Sequence, residues 1–354
     1  MTETELNALL AGITPANEAA RAAAHAHWAS LAKPLGGLGR LETMLEDAAA
    51  LTGSAELDLS RRVVVVLCAD NGVVEQGVSQ TDQSVTRAVA ANLAAGRTSV
   101  CRMAAAARCN VVPVDVGIAG EKVEGVLDRR IADGTADFTQ GPAMTRKQAL
   151  LAIETGMALV RDARKAGFSL LATGEMGIGN TTTSSAVAAV LLGEPVERMT
   201  GRGAGLSDAG LGRKLDAIRR GISRNRPNAG DALDVLGKLG GLDIAGLCGV
   251  FLGGARYRVP IVMDGFISGV AALCAVRLCP RAEAAIFASH ASSEPAARRV
   301  MEALGKRPLI TAGMHLGEGT GAVASIPLWD MALAVYQGCY SFAEGGIAPY
   351  TPQC

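Results

Sequence analysis

The sequence predicts an α/β protein built on a parallel sheet with helices on both faces. Three observations carry that expectation. Short continuous apolar runs recur along the chain, the clearest being VVVVLCA at 63–69, and continuous runs mark strands buried on both faces. Segments of helical period alternate with them, which is the pattern of a sheet covered by helices. Several of the 43 glycines cluster just after apolar runs, where such proteins build their ligand loops.

Taken in order, residues 16–32 are Ala-rich and helical in character. KPLGGLGRL (33–41) interrupts them with Pro and Gly. A second helix follows with Leu38, Leu41, Leu45 and Ala48 on one face and Gly53 near its end. These helices precede every strand signal and are expected to form a small separate unit. Val63–Ala69 is the first predicted strand, and DNGVVEQGVSQTDQ (70–83) is a polar loop behind it. The next helix carries Val85, Ala88, Val89 and Leu93, with Gly96 as its stop. Val111–Val116 and Phe168–Thr173 are the second and third predicted strands, the third running into GEMGIGNTT (174–182). The following helix carries Ala186, Val187, Val190 and Leu191 and ends at Gly193. Leu211, Leu215, Ile218 and Ile222 mark another, and further strands are predicted at Val259–Met263 and Ala284–Ala288. The segment from Ile326 to Phe342 reads as helix again and is expected to pack with the N-terminal helices.

Composition narrows the function. Lys+Arg and Asp+Glu are both 34, and no basic run is interleaved with aromatics, so nucleic acid is not an expected partner. No apolar stretch has the length of a membrane span. MTETELNALL carries no cationic segment before its apolar residues, so a cytoplasmic location is expected. The eight cysteines are scattered and read as small buried hydrophobes. The four histidines show no metal-ligand spacing, so neither metal nor cofactor is expected.

Several constellations carry chemistry. GEMGIGNT (174–181) follows a strand, opens a helix and nearly matches a phosphate loop. Asn180 stands where that motif needs its Lys, which disfavours triphosphate hydrolysis but leaves an anion site at the helix start, or simply a tight turn. GRGAG (201–205) is a second Gly cluster, with Lys214 on the helix beyond it. The two loops and the lysine could enclose one phosphate. LGEGTGA (316–322) sets Glu318 between glycines, and Glu175 has a similar setting in GEMG. Two such glutamates suit acid/base work, although either alone reads equally as a loop carboxylate. Asp264 in MDGF follows a strand and could hold ribose hydroxyls or cap a turn. Ser289, His290 and Ser292 follow another strand but lack the GxSxG elbow of a nucleophilic serine.

Taken together, these motifs resemble the nicotinate-nucleotide–dimethylbenzimidazole phosphoribosyltransferase family over nearly the whole chain. KPLGGLGRLE (33–42), CADNGVVEQGVSQ (68–80), VDVGI (114–118), GPAMTR (141–146), GEMGIGNTTT (174–183), KLGGLDIAGL (238–247), MDGF (263–266), ASHASSE (288–294) and LGEGTGA are similar in kind and order. The resemblance implies a Rossmann-like α/β catalytic domain over 61–324, a small helical domain from 1–60 plus 325–354, and a homodimer. It implies transfer of a phosphoribosyl group from nicotinate mononucleotide to an aromatic base in cobamide lower-ligand assembly. Glu318 would be the catalytic base and Glu175 the second carboxylate. Gly177, Asn180, Gly203, Lys214, Asp264 and Ser292 would surround the nucleotide. Thr81 and Val89 would stand beside the base. The chain departs from the family at Val89, where some members have Gln, and at Asp-Asn-Gly (70–72), where others have Asp-His-Gly. Those departures leave the acceptor open between dimethylbenzimidazole, other benzimidazoles, purines and phenols.

The chemistry suits these residues. The leaving group is a pyridinium that departs as neutral-ring nicotinate, so neither proton nor metal has to assist it. The acceptor must lose its ring proton, which a desolvated carboxylate can take. Two rival classes stand beside this reading. A dinucleotide-dependent oxidoreductase needs GxGxxG after the first strand, and the loop there is DNGVVEQG, so that class fails at its own motif. A non-catalytic nucleotide-binding protein survives any sequence argument.

Overall fold

A computed structural model of the chain describes residues 1–350. Three helices come first: α1 (Glu3–Ala11), α2 (Glu18–Ser30) and α3 (Arg40–Thr52). The sheet region then runs β1 (Arg62–Ala69), α4 (Ser84–Ala94), α5 (Ser99–Ala106), β2 (Asn110–Gly117), β3 (Leu127–Asp128), α6 (Arg146–Lys165) and β4 (Leu170–Met176). It continues through α7 (Asn180–Leu192), α8 (Val196–Met199), α9 (Asp208–Asn225), α10 (Ala232–Leu239), α11 (Leu242–Tyr257) and β5 (Ile261–Met263). The last elements are α12 (Phe266–Leu278), β6 (Ile286–Ala288), α13 (Ala297–Ala303) and α14 (Thr320–Gly338).

The strands form one sheet in the order β3-β2-β1-β4-β5-β6, and every pairing is parallel. This is the doubly wound order, with the direction of winding reversing between β1 and β4. β1 is buried along its whole length, as its unbroken apolar run requires. Helices before and after the sheet meet as expected from the sequence: Trp28 of α2 packs edge-on against Tyr336 of α14, ring centroids 4.9 Å apart. Among the described residues no helix is long and apolar enough to cross a membrane.

The structure moves several predicted boundaries, with β5 and β6 beginning at Ile261 and Ile286 rather than at Val259 and Ala284, and turns two helix faces. The third strand begins at Leu170 and runs on through Gly174, Glu175 and Met176, so the start of GEMG is strand and only its end is loop. α14 begins at Thr320, because TGAVAS packs on the sheet without any apolar period. In α4 the buried residues are Thr86, Ala90 and Leu93, so of the expected face only Leu93 is fully inside. In α9 the buried row is Gly210, Lys214, Ala217, Ile218 and Gly221, while Leu211, Leu215 and Ile222 are only half-buried.

The most deeply packed helix, α11, is buried at every residue from Leu242 to Ala255. It lies between the sheet and α6. A Cβ on Gly156 of α6 would stand 1.9 Å from the Gly246 carbonyl of α11, so only glycine lets the two helix backbones come this close. That packing carries the first turn of α11 to the carboxyl end of β4.

Candidate active site

The C-terminal ends of β4, β5 and β6 open into a cleft of about 370 Å³, at the place where the strand order reverses and open α/β sheets bind ligands. Glu175, Gly177, Asn180, Gly203, Asp264, Ser292, Glu318 and Val89 all line it. Of the residues expected at the site, Thr81 and Lys214 do not. Thr81 is exposed. Lys214 is fully buried, and its ammonium donates to the Thr181 hydroxyl at 2.9 Å and the Gly201 carbonyl at 3.1 Å. Thr181 lines the cleft, so Lys214 sits one hydrogen bond behind the surface. Burial pushes its ammonium down to about 8, with the Glu294 carboxylate pulling the other way.

Glu318 has an unusual backbone. Gly317, Glu318 and Gly319 have φ of 88°, 60° and 90°, three successive residues in the left-handed region that a glutamate rarely adopts. The surroundings hold it there. The Asp264 carboxylate accepts the Gly319 N–H at 3.3 Å and the Ala322 N–H at 2.9 Å, capping the start of α14. A Cβ on Gly174 would lie 2.4 Å from the Glu318 carbonyl, so the loop rests directly on β4. Both oxygens of Asp264 are thereby engaged by protein, and its position in the cleft wall is that of a brace. Oε2 of Glu318 is buried with no hydrogen-bond partner. Desolvation raises the Glu318 carboxyl above its ordinary range, and the Val100 N–H and Thr98 hydroxyl at the start of α5 act against that rise.

Glu175 ends β4 and is buried. Burial and the neighbouring Asp243 carboxylate push its carboxyl up to about 8, with the Asn180 hydrogen bond opposing them. The Asn180 amide donates to both Glu175 and Asp243, the latter at 3.1 Å. Asn180 therefore does not replace the missing phosphate-loop lysine in kind. It bridges two carboxyl groups.

The Ser–His arrangement after β6 is not a nucleophilic relay. Ser289 donates to the Met263 carbonyl at 2.6 Å and is fully buried. Its hydroxyl and the Asp264 carboxylate both approach the same nitrogen of His290, Nδ1, at 3.1 and 3.9 Å. A relay needs the two partners on opposite nitrogens. The Asn71 departure from the family likewise lies below the cleft, fully buried and absent from its lining. Residues that sequence reasoning missed in the lining include Ser99, Thr181, Glu294, His315 and Leu316. His315 and Leu316 directly precede the glycine loop of Glu318, so their proximity to it in sequence was the available signal.

A family model described as phosphoribosyltransferase matches residues 13–347. The nicotinate-nucleotide–dimethylbenzimidazole phosphoribosyltransferase of Acetivibrio thermocellus is 47% identical over 325 residues, covering 92% of this chain and 93% of its own. The chain belongs to the nicotinate-nucleotide–dimethylbenzimidazole phosphoribosyltransferase family. A family member from Roseiflexus sp. (strain RS-1) is 44% identical and covers 97% of this chain and 98% of its own. The crystal structure of CobT from Thermus thermophilus superposes with a TM-score of 0.89 at 40% identity, covering 94% of this chain and 100% of that one. Membership of this family makes the chain an enzyme, a pentosyltransferase, and removes the oxidoreductase reading.

Proposed function

We propose that the chain transfers the phosphoribosyl group of nicotinate mononucleotide to dimethylbenzimidazole or a related aromatic base, releasing nicotinate and forming the α-riboside phosphate. The observation that carries this reading is the convergence of Glu318 and Glu175 on one cleft at the switch point of a family sheet. A base nitrogen attacks the ribosyl carbon as the bond to the pyridinium nitrogen breaks, and its electron pair returns to the nicotinate ring. The proton lost from the acceptor goes to the Glu318 carboxylate, one oxygen of which has no hydrogen-bond partner within the protein. Going from a β donor to an α product is one inversion, so the reaction needs no covalent enzyme intermediate. The donor phosphate lies against Thr181 and Gly203, within reach of Lys214.

Burial and the Asp243 carboxylate favour the protonated form of Glu175 in the free enzyme. The cationic ring of the donor and the cationic ribosyl carbon both favour its ionised form, which then stabilises the transition state. The decisive assay is nicotinate release with and without dimethylbenzimidazole. Release that requires the base supports the transferase; no release with any aromatic base leaves a nucleotide-binding protein.

The acceptor is read from the same cleft. Val89 of α4 is half-buried and lines it, whereas Thr81 does not. Val89→Gln adds a hydrogen-bonding group to an apolar wall and is expected to reorder kcat/KM among benzimidazole, purine and phenolic acceptors, with donor KM unchanged. An unaltered ranking removes α4 from the acceptor pocket.

The reading also includes a cytoplasmic homodimer and a small helical unit of residues 1–60 and 325–354, of which 351–354 lie outside the described residues. Met331, Tyr340, Ile347 and Tyr350 supply exposed apolar surface for a subunit contact near the C-terminus. Sedimentation at micromolar concentration checks it, and a monomer there removes the dimer.

A further inference from the structure

The cleft rests on a buried carboxyl pair of which only one member meets ligand space. Asp243 lies in the first turn of α11, is fully buried and takes no part in the cleft lining. Its Oδ2 accepts from Asn180 at 3.1 Å, and the same amide nitrogen donates to Glu175. Oδ1 accepts the Ile244 N–H at 2.9 Å. A Cβ on Gly177 would stand 2.8 Å from Oδ2, so the loop after β4 closes directly over the aspartate and shuts out water.

An aspartate in the first turn of a helix is normally held ionised by the helix dipole. Here no cation completes the arrangement: among the described residues neither Glu175 nor Asp243 forms an ion pair. The titratable and charged groups around them are accounted for, the buried Cys68 thiol of β1 among them, pushed well up by burial and by the Asp115, Glu175 and Asp243 carboxylates. Asp264 and Glu318 face Glu175 from the loops after β5 and before α14. Asp70, at the end of β1, faces Asp243. Arg130 is taken by Asp115 at 2.8 Å, Arg87 acts on Asp70, His290 faces Asp264, and Lys214 acts with Glu294. Two acids thus share one amide in a dry site, and like charges in that setting cannot both ionise readily.

We propose that Asp243 is a positioning residue that controls when Glu175 ionises, acting through the Asn180 amide and without touching either substrate. The pair takes up and gives off protons in two steps. Asp243 ionises first, and its charge then holds the proton on Glu175 until donor binds. Burial raises both carboxyls, Asp243 to about 6 and Glu175 to about 8, and the Ile244 N–H donated to Asp243 is what favours Asp243 as the first to ionise. The inference rests on Glu175 serving the transfer reaction proposed above.

Asp243→Asn keeps the shape and removes the charge. The protonated-carboxyl infrared band assigned to Glu175, which Glu175→Gln abolishes, should titrate about one pH unit or more lower in this variant. The ascending limb of kcat/KM for nicotinate mononucleotide should move by the same amount, making the variant faster than the parent, by about tenfold or more, on the acid side. On a Glu175→Gln background, Asp243→Asn should leave the pH profile unchanged. A merely structural aspartate would instead lower activity equally at every pH and on both backgrounds. A folded Asp243→Asn protein whose Glu175 band and limb stay in place overturns the proposal. If that variant does not fold, the unaltered protein decides: loss of two buried carboxyl bands in separate steps supports it, and a single step in the ordinary carboxylate range overturns it. The infrared arm needs no turnover, so a shifted band without nicotinate release leaves this inference standing and removes the transferase reading.

Discussion

Glu318→Gln is expected to lower kcat on dimethylbenzimidazole by about a hundred- to ten-thousand-fold, the usual contribution of a general base, with donor KM close to that of the parent. Gln preserves the volume of the side chain and its place between Gly317 and Gly319, so the left-handed backbone and its support by Asp264 stay as they are. Melting temperature should therefore change little, which separates lost chemistry from lost structure. The variant loses only the capacity of the buried, unpartnered oxygen to take a proton. The deficit should depend on the acceptor. A base that is already anionic at the assay pH has no ring proton to give up and should be spared most of the loss. Near-normal kcat on dimethylbenzimidazole would show that Glu318 is not the base, and Glu175 would become the leading candidate.

Much of the sheet was legible because its signal is local. β1 is an apolar run with both faces covered, and such a run has few other uses. Glu318 was legible as a cleft residue because glycine on both sides of a carboxylate has a backbone meaning, here a positive φ and a close approach to β4, and Glu175 because it stands between a strand and a Gly-rich turn. What escaped was set by tertiary burial. α11 is apolar all round, so it has no helical period to detect and no polar face to orient it. Asp243 was hidden in it, although it is the one charged residue in the stretch LGGLDIAGLCGVFLGGA (239–255), and a lone charge in a fully buried segment is itself a signal of function. The burial of Lys214 escaped for a related reason. Period alone favoured the leucines of α9 as its buried face, whereas the row that packs inward is small residues around a lysine. The small residues make room for a long side chain that no apolar count would put inside.

Lys214→Met tests what that buried lysine is for. The ammonium has three donors, and two are taken by Thr181 and the Gly201 carbonyl. The third has no hydrogen-bond partner among the described residues, and a phosphate seated against Thr181 and Gly203 is expected to draw it forward. Holding the group there is costly. A descent from 10.5 to about 8 corresponds to about 3 kcal/mol of lost stability. Between these two values the folded chain binds fewer protons than the unfolded one, so stability rises with pH across that window, and the full cost is present below pH 8. Met removes the charge and keeps the apolar stem. At about neutral pH the variant should melt no lower than the parent, and any advantage should shrink as the pH is raised toward the ordinary lysine range. Donor use should move the other way. Loss of one charge-assisted hydrogen bond is worth about 1.5–3 kcal/mol, so KM for nicotinate mononucleotide should rise roughly ten- to a hundredfold. The parent should also lose donor affinity as the pH passes about 8 and the lysine deprotonates, and that descending limb should be absent from the variant. A stable Lys214→Met enzyme with parental KM and an unchanged descending limb would mean that the lysine only ties α9 to the 201–205 loop, leaving the phosphate to the backbone N–H groups of that loop and of α7.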